Sequence, residues 1–191
     1  SGLVASIYMR GLTGYLPIPK KIPPYILPVI AGFICGVTGL FIPEVLGLGS
    51  ETIQSLLVDT KTINSLIILL IAKLFLTIVC IRFNLFGGIF SPALFIGTSL
   101  GCIFAVIFEL ILPDTNISLF AVAGMAAVTG SVIGGPISTM MIIFELTSDY
   151  QVALGAGISI CFANLVSSKI YGHSAFDQIL LNRNIDIQIG R

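Results

Sequence analysis

Apolar residues run along this chain in uneven stretches, punctuated by short polar turns and by glycine pairs that lie close to prolines. An upright helix takes about 20 apolar residues to cross a bilayer core, and measured against that length the stretches predict helices that tilt, stop short or break. Residues 1–17 finish one helix, and Lys20, Lys21, Pro23 and Pro24 form a wet turn at a membrane face. Tyr25 to Phe41 is a second helix, whose Gly32, Gly36 and Gly39 predict close approach to a neighbouring backbone. Residues 43–62 are an interfacial connection with one short helix capped by Ser50. Leu66 to Ile81 spans the membrane and is interrupted only by Lys73 and Thr77. Helices over Pro92–Leu112 and Ile117–Ser131 follow, and then a short one from Pro136 to about Thr147. Val152 to Ser168 crosses back, and a last amphipathic helix begins near Ser174.

Composition places this pattern in a membrane. The 191 residues are 56% hydrophobic and 9% charged, with a mean hydropathy of +1.08; ordinary soluble domains carry about 25% charged residues. Nine Lys plus Arg balance nine Asp plus Glu, so no basic field exists to hold nucleic acid. Cys35, Cys80, Cys102 and Cys161 sit in apolar runs without CxxC spacing, which argues against paired metal ligands and a disulfide framework. They read as small buried hydrophobes. The chain opens on an apolar stretch without methionine or a charged leader and reads as part of a longer protein. Residues 1–183 form one membrane domain, and 184–191 are a polar tail that leaves it. Lys20, Lys21, Lys61, Arg82 and Lys169 do not sort to one side, so loop charge leaves the orientation open.

The most informative segment is Gly87 to Gly101, GGIFSPALFIGTSLG. Ser91 is predicted to cap a helix whose first residue is Pro92, because proline's missing N–H would be unpaired there in any case. Gly87 and Gly88 permit an approach in which the N–H groups of Ile89, Phe90 and Ser91 point out along the helix axis, which makes an anion site. A kinked continuous helix is the alternative reading. Gly134, Gly135 and Pro136 repeat the device, and two broken helices are expected where unwound backbone lines an enclosed or watery cavity.

Other features weigh less. Gly97-Thr98-Ser99-Leu100-Gly101 matches the GxSxG elbow of serine hydrolases, with His173 and Asp177 as remote partners. That elbow follows a strand, whereas here it lies in a helical run, so Gly97 and Gly101 read better as a packing face. Lys73, Glu109 and Glu145 are the ionisable residues of the spans. Both glutamates sit near helix ends and are expected at interfaces, and Lys73 is expected in a salt bridge or reaching to the surface. Asn116-Ile117-Ser118 fits a glycosylation sequon and a helix cap equally well. With no carboxylate beside either glycine break, the cavity is neutral and favours an anion. A cation-coupled transporter with broken helices is the competing reading, and an intramembrane hydrolase the distant one; an enzyme is not expected.

GGIFSPALFIGTSLG resembles the GxFxP anion-binding segment of the CLC chloride channels and chloride/proton exchangers. The resemblance continues in order through Phe120–Gly130 (FAVAGMAAVTG), Pro136–Tyr150 (PISTMMIIFELTSDY) and Ser174–Leu180. It implies an all-α integral membrane fold of two inverted repeats, of which this chain supplies the second, the C-terminal half. It implies that the N–H groups of Ile89 and Phe90 coordinate chloride, that Gly88 gives access, and that Ser91 and Pro92 launch the helix. The family's anion-binding tyrosine aligns with Phe176, or under a shifted alignment with Tyr171. Chloride is thereby the substrate, and no cofactor or metal is implied. The expected partners are membrane lipid, the N-terminal half with its gating glutamate and serine loop, and a second subunit held through residues 136–147 and 151–168. The expected location is the plasma or inner membrane, multi-pass, with the C-terminus in the cytoplasm. Channel and exchanger stay open.

Overall fold

The computed structural model describes residues 1–13, 23, 25–58, 62–83, 85, 87–112 and 116–170. Among them eight α-helices and one 3-10 turn succeed one another. They are α1 (Gly2–Thr13), α2 (Leu27–Phe41), the 3-10 turn Pro43–Val45, α3 (Ser50–Val58), α4 (Ile63–Arg82), α5 (Phe90–Glu109), α6 (Ile117–Ile133), α7 (Pro136–Thr147) and α8 (Tyr150–Ile170). Three of these, α4, α5 and α8, are long and apolar enough to cross a membrane; α2, α6 and α7 are shorter apolar helices.

The centre of the bundle is the α5–α6 pair. α6 is apolar around its whole circumference, so it is buried on all sides from Met125 to Val132. Glycines let the two helices meet at backbone distance. A Cβ on Gly97 would stand 2.6 Å from the Gly124 carbonyl oxygen and 2.7 Å from Met125 Cα, and one on Gly101 would collide with the Phe120 carbonyl oxygen. The packing face expected of Gly97 and Gly101 is therefore present. Around this pair α1 contributes Ala5, Tyr8, Met9 and Leu12 to a cluster with Ala93, Ile96, Val128 and Val132. On the other flank Ile143 of α7 and Ala156 and Ile160 of α8 pack on Val122, Met125 and Ala126.

Helix ends follow local chemistry. Asn116 caps α6, its Oδ1 accepting from Leu119 N at 3.3 Å, so the Asn-Ile-Ser triplet acts as a cap. α6 ends on Gly134 in the left-handed region (φ 75°), and Pro136 opens α7 two residues later. Asp149 Oδ1 accepts from Gln151 N at 2.8 Å and Val152 N at 3.3 Å and so starts α8. Several buried hydroxyls return their hydrogen to the carbonyl four residues back, as in Thr98 to Leu94, 2.9 Å, and Ser131 to Ala127, 2.9 Å.

Three expectations fail here. Among the described residues Gly32 and Gly36 meet nothing within 4 Å, so these α2 glycines approach no described helix, and the atoms nearest a Cβ on Gly39 belong to the Leu46 side chain. Ser50 is the first residue of α3, not its cap. Cys35 and Cys80 are half-buried and Cys161 is exposed, leaving Cys102 alone fully buried. The last predicted helix, near Ser174, and the 184–191 tail lie outside the described residues.

Candidate anion site at the start of α5

Both glycine breaks are true interruptions. α4 stops at Arg82 and α5 begins at Phe90, so a merely kinked helix is excluded. Ile89 occupies the cap position with helical dihedrals (φ −83°, ψ −25°), and the first backbone bond runs from Ala93 N to Ile89 O at 3.2 Å. Ser91 and Pro92 are the second and third helical residues, which corrects the predicted cap at Ser91. The reason is that Ala93 N, which a Ser91 cap would need, is already spent on Ile89. Proline remains harmless at its position because the first four N–H groups of a helix have no helix acceptor. For the same reason the N–H groups of Phe90 and Ser91 find none, and they carry the positive end of the α5 dipole.

Gly87 and Gly88 are exposed. A Cβ on Gly88 would meet nothing within 4 Å, and neither glycine is in the left-handed region. Their value at this place is thus bare space in front of a helix N-terminus, not a special dihedral. Phe90 is 37% exposed, while Ile89, Ser91 and Pro92 are half-buried and Ala93 is sealed. Of the predicted site residues, Gly88, Ile89, Phe90, Ser91 and Pro92 form one continuous lip; Phe176, like Tyr171, His173 and Asp177, lies outside the described residues.

The Ser91 side chain has a different task from capping. Its Oγ donates to the carbonyl of Leu48 at 2.8 Å. Leu48 sits in a tight strap, with Gly47 and Gly49 both left-handed (φ 63° and 74°). Lys73 of α4 is 4% exposed and donates from Nζ to the carbonyls of Val45 at 2.8 Å and Gly47 at 2.9 Å. Its ammonium also lies 5.0 Å from the centre of the Phe95 ring. Lys73 therefore pairs with no carboxylate among the described residues and does not reach the surface, contrary to the expectation; it ties the strap to α4 from inside. A Cβ on Gly49 would strike Phe95 Cδ2 at 2.5 Å, so the strap lies directly on α5. Sequence reasoning missed this brace, although its signals were a lysine in an apolar run and the Gly-Leu-Gly doublet after Pro43.

Ser99 is fully buried within α5 and donates to the Phe95 carbonyl at 2.9 Å. A hydrolase elbow has its serine exposed on a strand-to-helix turn, so this GxSxG is a packing motif. Glu109 and Glu145 are exposed near the C-terminal ends of α5 and α7, where interfacial positions were expected.

A family profile described as Voltage gated chloride channel matches residues 1–168. The chain belongs to that family. It is 29% identical over 153 residues to the H(+)/Cl(-) exchange transporter ClcA of Vibrio parahaemolyticus, covering 79% of this chain and 33% of that protein. The ClcA of Vibrio vulnificus is 30% identical over 156 residues, covering 81% and 33%. In structure the chain resembles a slow cyanobacterial Cl-/H+ antiporter solved by X-ray crystallography, with a TM-score of 0.85 and 24% identity, over 98% of this chain and 45% of that one. The all-helical fold expected from the sequence is therefore that of the family, and the chain is a multi-pass membrane protein. It spans about a third of the length of the curated relatives it matches.

Proposed function

We propose that this chain forms one wall of a transmembrane chloride pathway, as the C-terminal half (residues 1–183) of a CLC-type membrane domain with a polar tail at 184–191. The observation that carries this reading is the start of α5: backbone N–H groups without helix acceptors behind an exposed glycine whose Cβ space is empty. Chloride would be held by the N–H groups of Ile89 and Phe90, with access over Gly88 and the geometry fixed by Ser91 and Pro92. Phe176, in the place of the family's tyrosine, would offer an aromatic edge but no hydroxyl.

The relatives are named exchange transporters, which favours chloride/proton exchange over a channel. The anion itself is the substrate, and the reading requires no cofactor. The other wall belongs to the rest of the full-length protein. A second subunit through residues 136–147 and 151–168 is supported by apolar residues left exposed there, Ile137 and Met141 on α7 and Ile158 and Phe162 on α8. Elsewhere the exposed α2 stripe of Val29, Phe33, Val37 and Leu40 suits lipid. The plasma or inner membrane, with the C-terminus cytoplasmic, fits this reading.

The test is chloride efflux from liposomes holding the full-length protein, with pH recorded at the same time. Chloride movement that drives protons is expected; uptake driven by sodium and indifferent to chloride would overturn the proposal.

A further inference from the structure

Cys35 of α2 and Cys80 of α4, 45 positions apart in sequence, bring their sulfurs to 3.2 Å, within hydrogen-bonding distance. A disulfide bond is about 2.05 Å long, so roughly 1 Å of closure by side-chain rotation separates this contact from a covalent bond. Both residues are half-buried, so the pair is not sealed from small reagents. Cys80 also stands two residues from the end of α4, where Arg82 donates from Nε to the Gly11 carbonyl at 3.0 Å. The other two cysteines lack this arrangement: Cys102 is 3% exposed and donates to the Leu56 carbonyl at 3.4 Å, and Cys161 faces outward.

We propose that Cys35 and Cys80 are a redox modification site, a thiol pair that a peroxide converts reversibly to a disulfide stapling α2 to α4. One sulfur attacks a peroxide oxygen; the O–O bond breaks, and a sulfenic acid and one water result. The second sulfur then attacks the sulfenic sulfur, the S–O bond breaks, and a second water leaves with the remaining thiol hydrogen. The peroxide is reduced and the two sulfurs are oxidised; a dithiol reverses the step by exchange.

The staple has mechanical consequences. α2 rests chiefly on α4 and on the Pro43–Val45 turn, so among the described residues its attachment is slight and a covalent bond adds a fixed point. The Cys80 carbonyl in turn accepts from Leu85 N at 2.9 Å, at the exit of α4 towards Gly87. Oxidation therefore fixes α2 to the base of the segment that leads to α5.

The inference is tested on the full-length protein in liposomes, treated with hydrogen peroxide, quenched with N-ethylmaleimide and mapped by mass spectrometry. Expected is the loss of alkylation at both Cys35 and Cys80, with their peptides joined in one species lighter by the thiol hydrogens and released by dithiothreitol. Cys35→Ser, and independently Cys80→Ala, should abolish that species. If Cys35 and Cys80 stay alkylatable at a peroxide dose that oxidises Cys161, or if either joins another cysteine instead, the proposal fails. The readout is of thiols, so it stands or falls apart from chloride transport.

Discussion

The Ser91 hydroxyl donates to the Leu48 carbonyl at 2.8 Å, tying the second residue of α5 to a strap 43 positions upstream. The strap is in turn held by Lys73 and lies against Phe95. The start of α5 is thus positioned by tertiary contacts as much as by its own sequence. Ser91→Ala removes one hydrogen bond and is expected to lower unfolding free energy by about 1 kcal/mol. Denaturant titration of the full-length protein in detergent checks this; an unchanged midpoint would mean that Ser91 adds nothing to the hold that Lys73 and Phe95 have on the strap.

Lys73→Met has a larger expected effect. The methionine fills the volume but leaves the carbonyls of Val45 and Gly47 without their donor in a buried place. A loss of roughly 3 kcal/mol is expected, read as a lower thermal midpoint and a lower yield of folded protein. Arginine should rescue poorly, because its planar fork is larger than the ammonium that fits between Phe95 and the strap.

At the α5–α6 crossing, Gly101→Val forces a side chain into the Phe120 carbonyl, and backbone cannot rotate away. The expected loss is at least about 2 kcal/mol. Ser99→Ala at the same crossing should be mild, and fluorophosphonate should not label Ser99 in the parent protein, since that serine is buried and bonded within its own helix.

Gly88→Ala separates folding from binding. The added methyl meets open space and the dihedrals are ordinary, so stability should hold or rise by up to about 1 kcal/mol. The methyl enters the space through which chloride is proposed to reach the N–H groups, and affinity measured by calorimetry should fall about tenfold, ~1.4 kcal/mol. Unchanged affinity would move the anion away from α5.

Phe176→Tyr supplies a hydroxyl at the position proposed to match the family's tyrosine and is expected to tighten chloride binding by about 1 kcal/mol, one hydrogen bond. Calorimetry on the full-length variant decides it. No change would mean that this side chain does not touch the anion.

Much of this protein is legible in one dimension. Length and apolarity of the runs suffice for α4, α5 and α8, because a bilayer sets the length of a crossing helix. The Gly134–Pro136 break is equally local: a left-handed glycine ends one helix and a proline starts the next. Gly97 and Gly101 announced their packing by spacing alone, and the glycine pair before Phe90 announced a helix start with open space in front of it. These features depend on the covalent properties of a few neighbouring residues.

What the sequence could not decide depends on which distant segments meet. Ser91 resembles a cap by local rules, yet its hydroxyl goes to Leu48, because the strap arrives there and Ala93 N is already engaged. Lys73 looks like an isolated charge until the carbonyls of Val45 and Gly47 converge on it from another part of the chain. Cys35 and Cys80 share no spacing motif and become a pair only when α2 packs on α4. Carbonyl groups and cysteine sulfurs carry no periodicity, so their partners are fixed only when the helices pack.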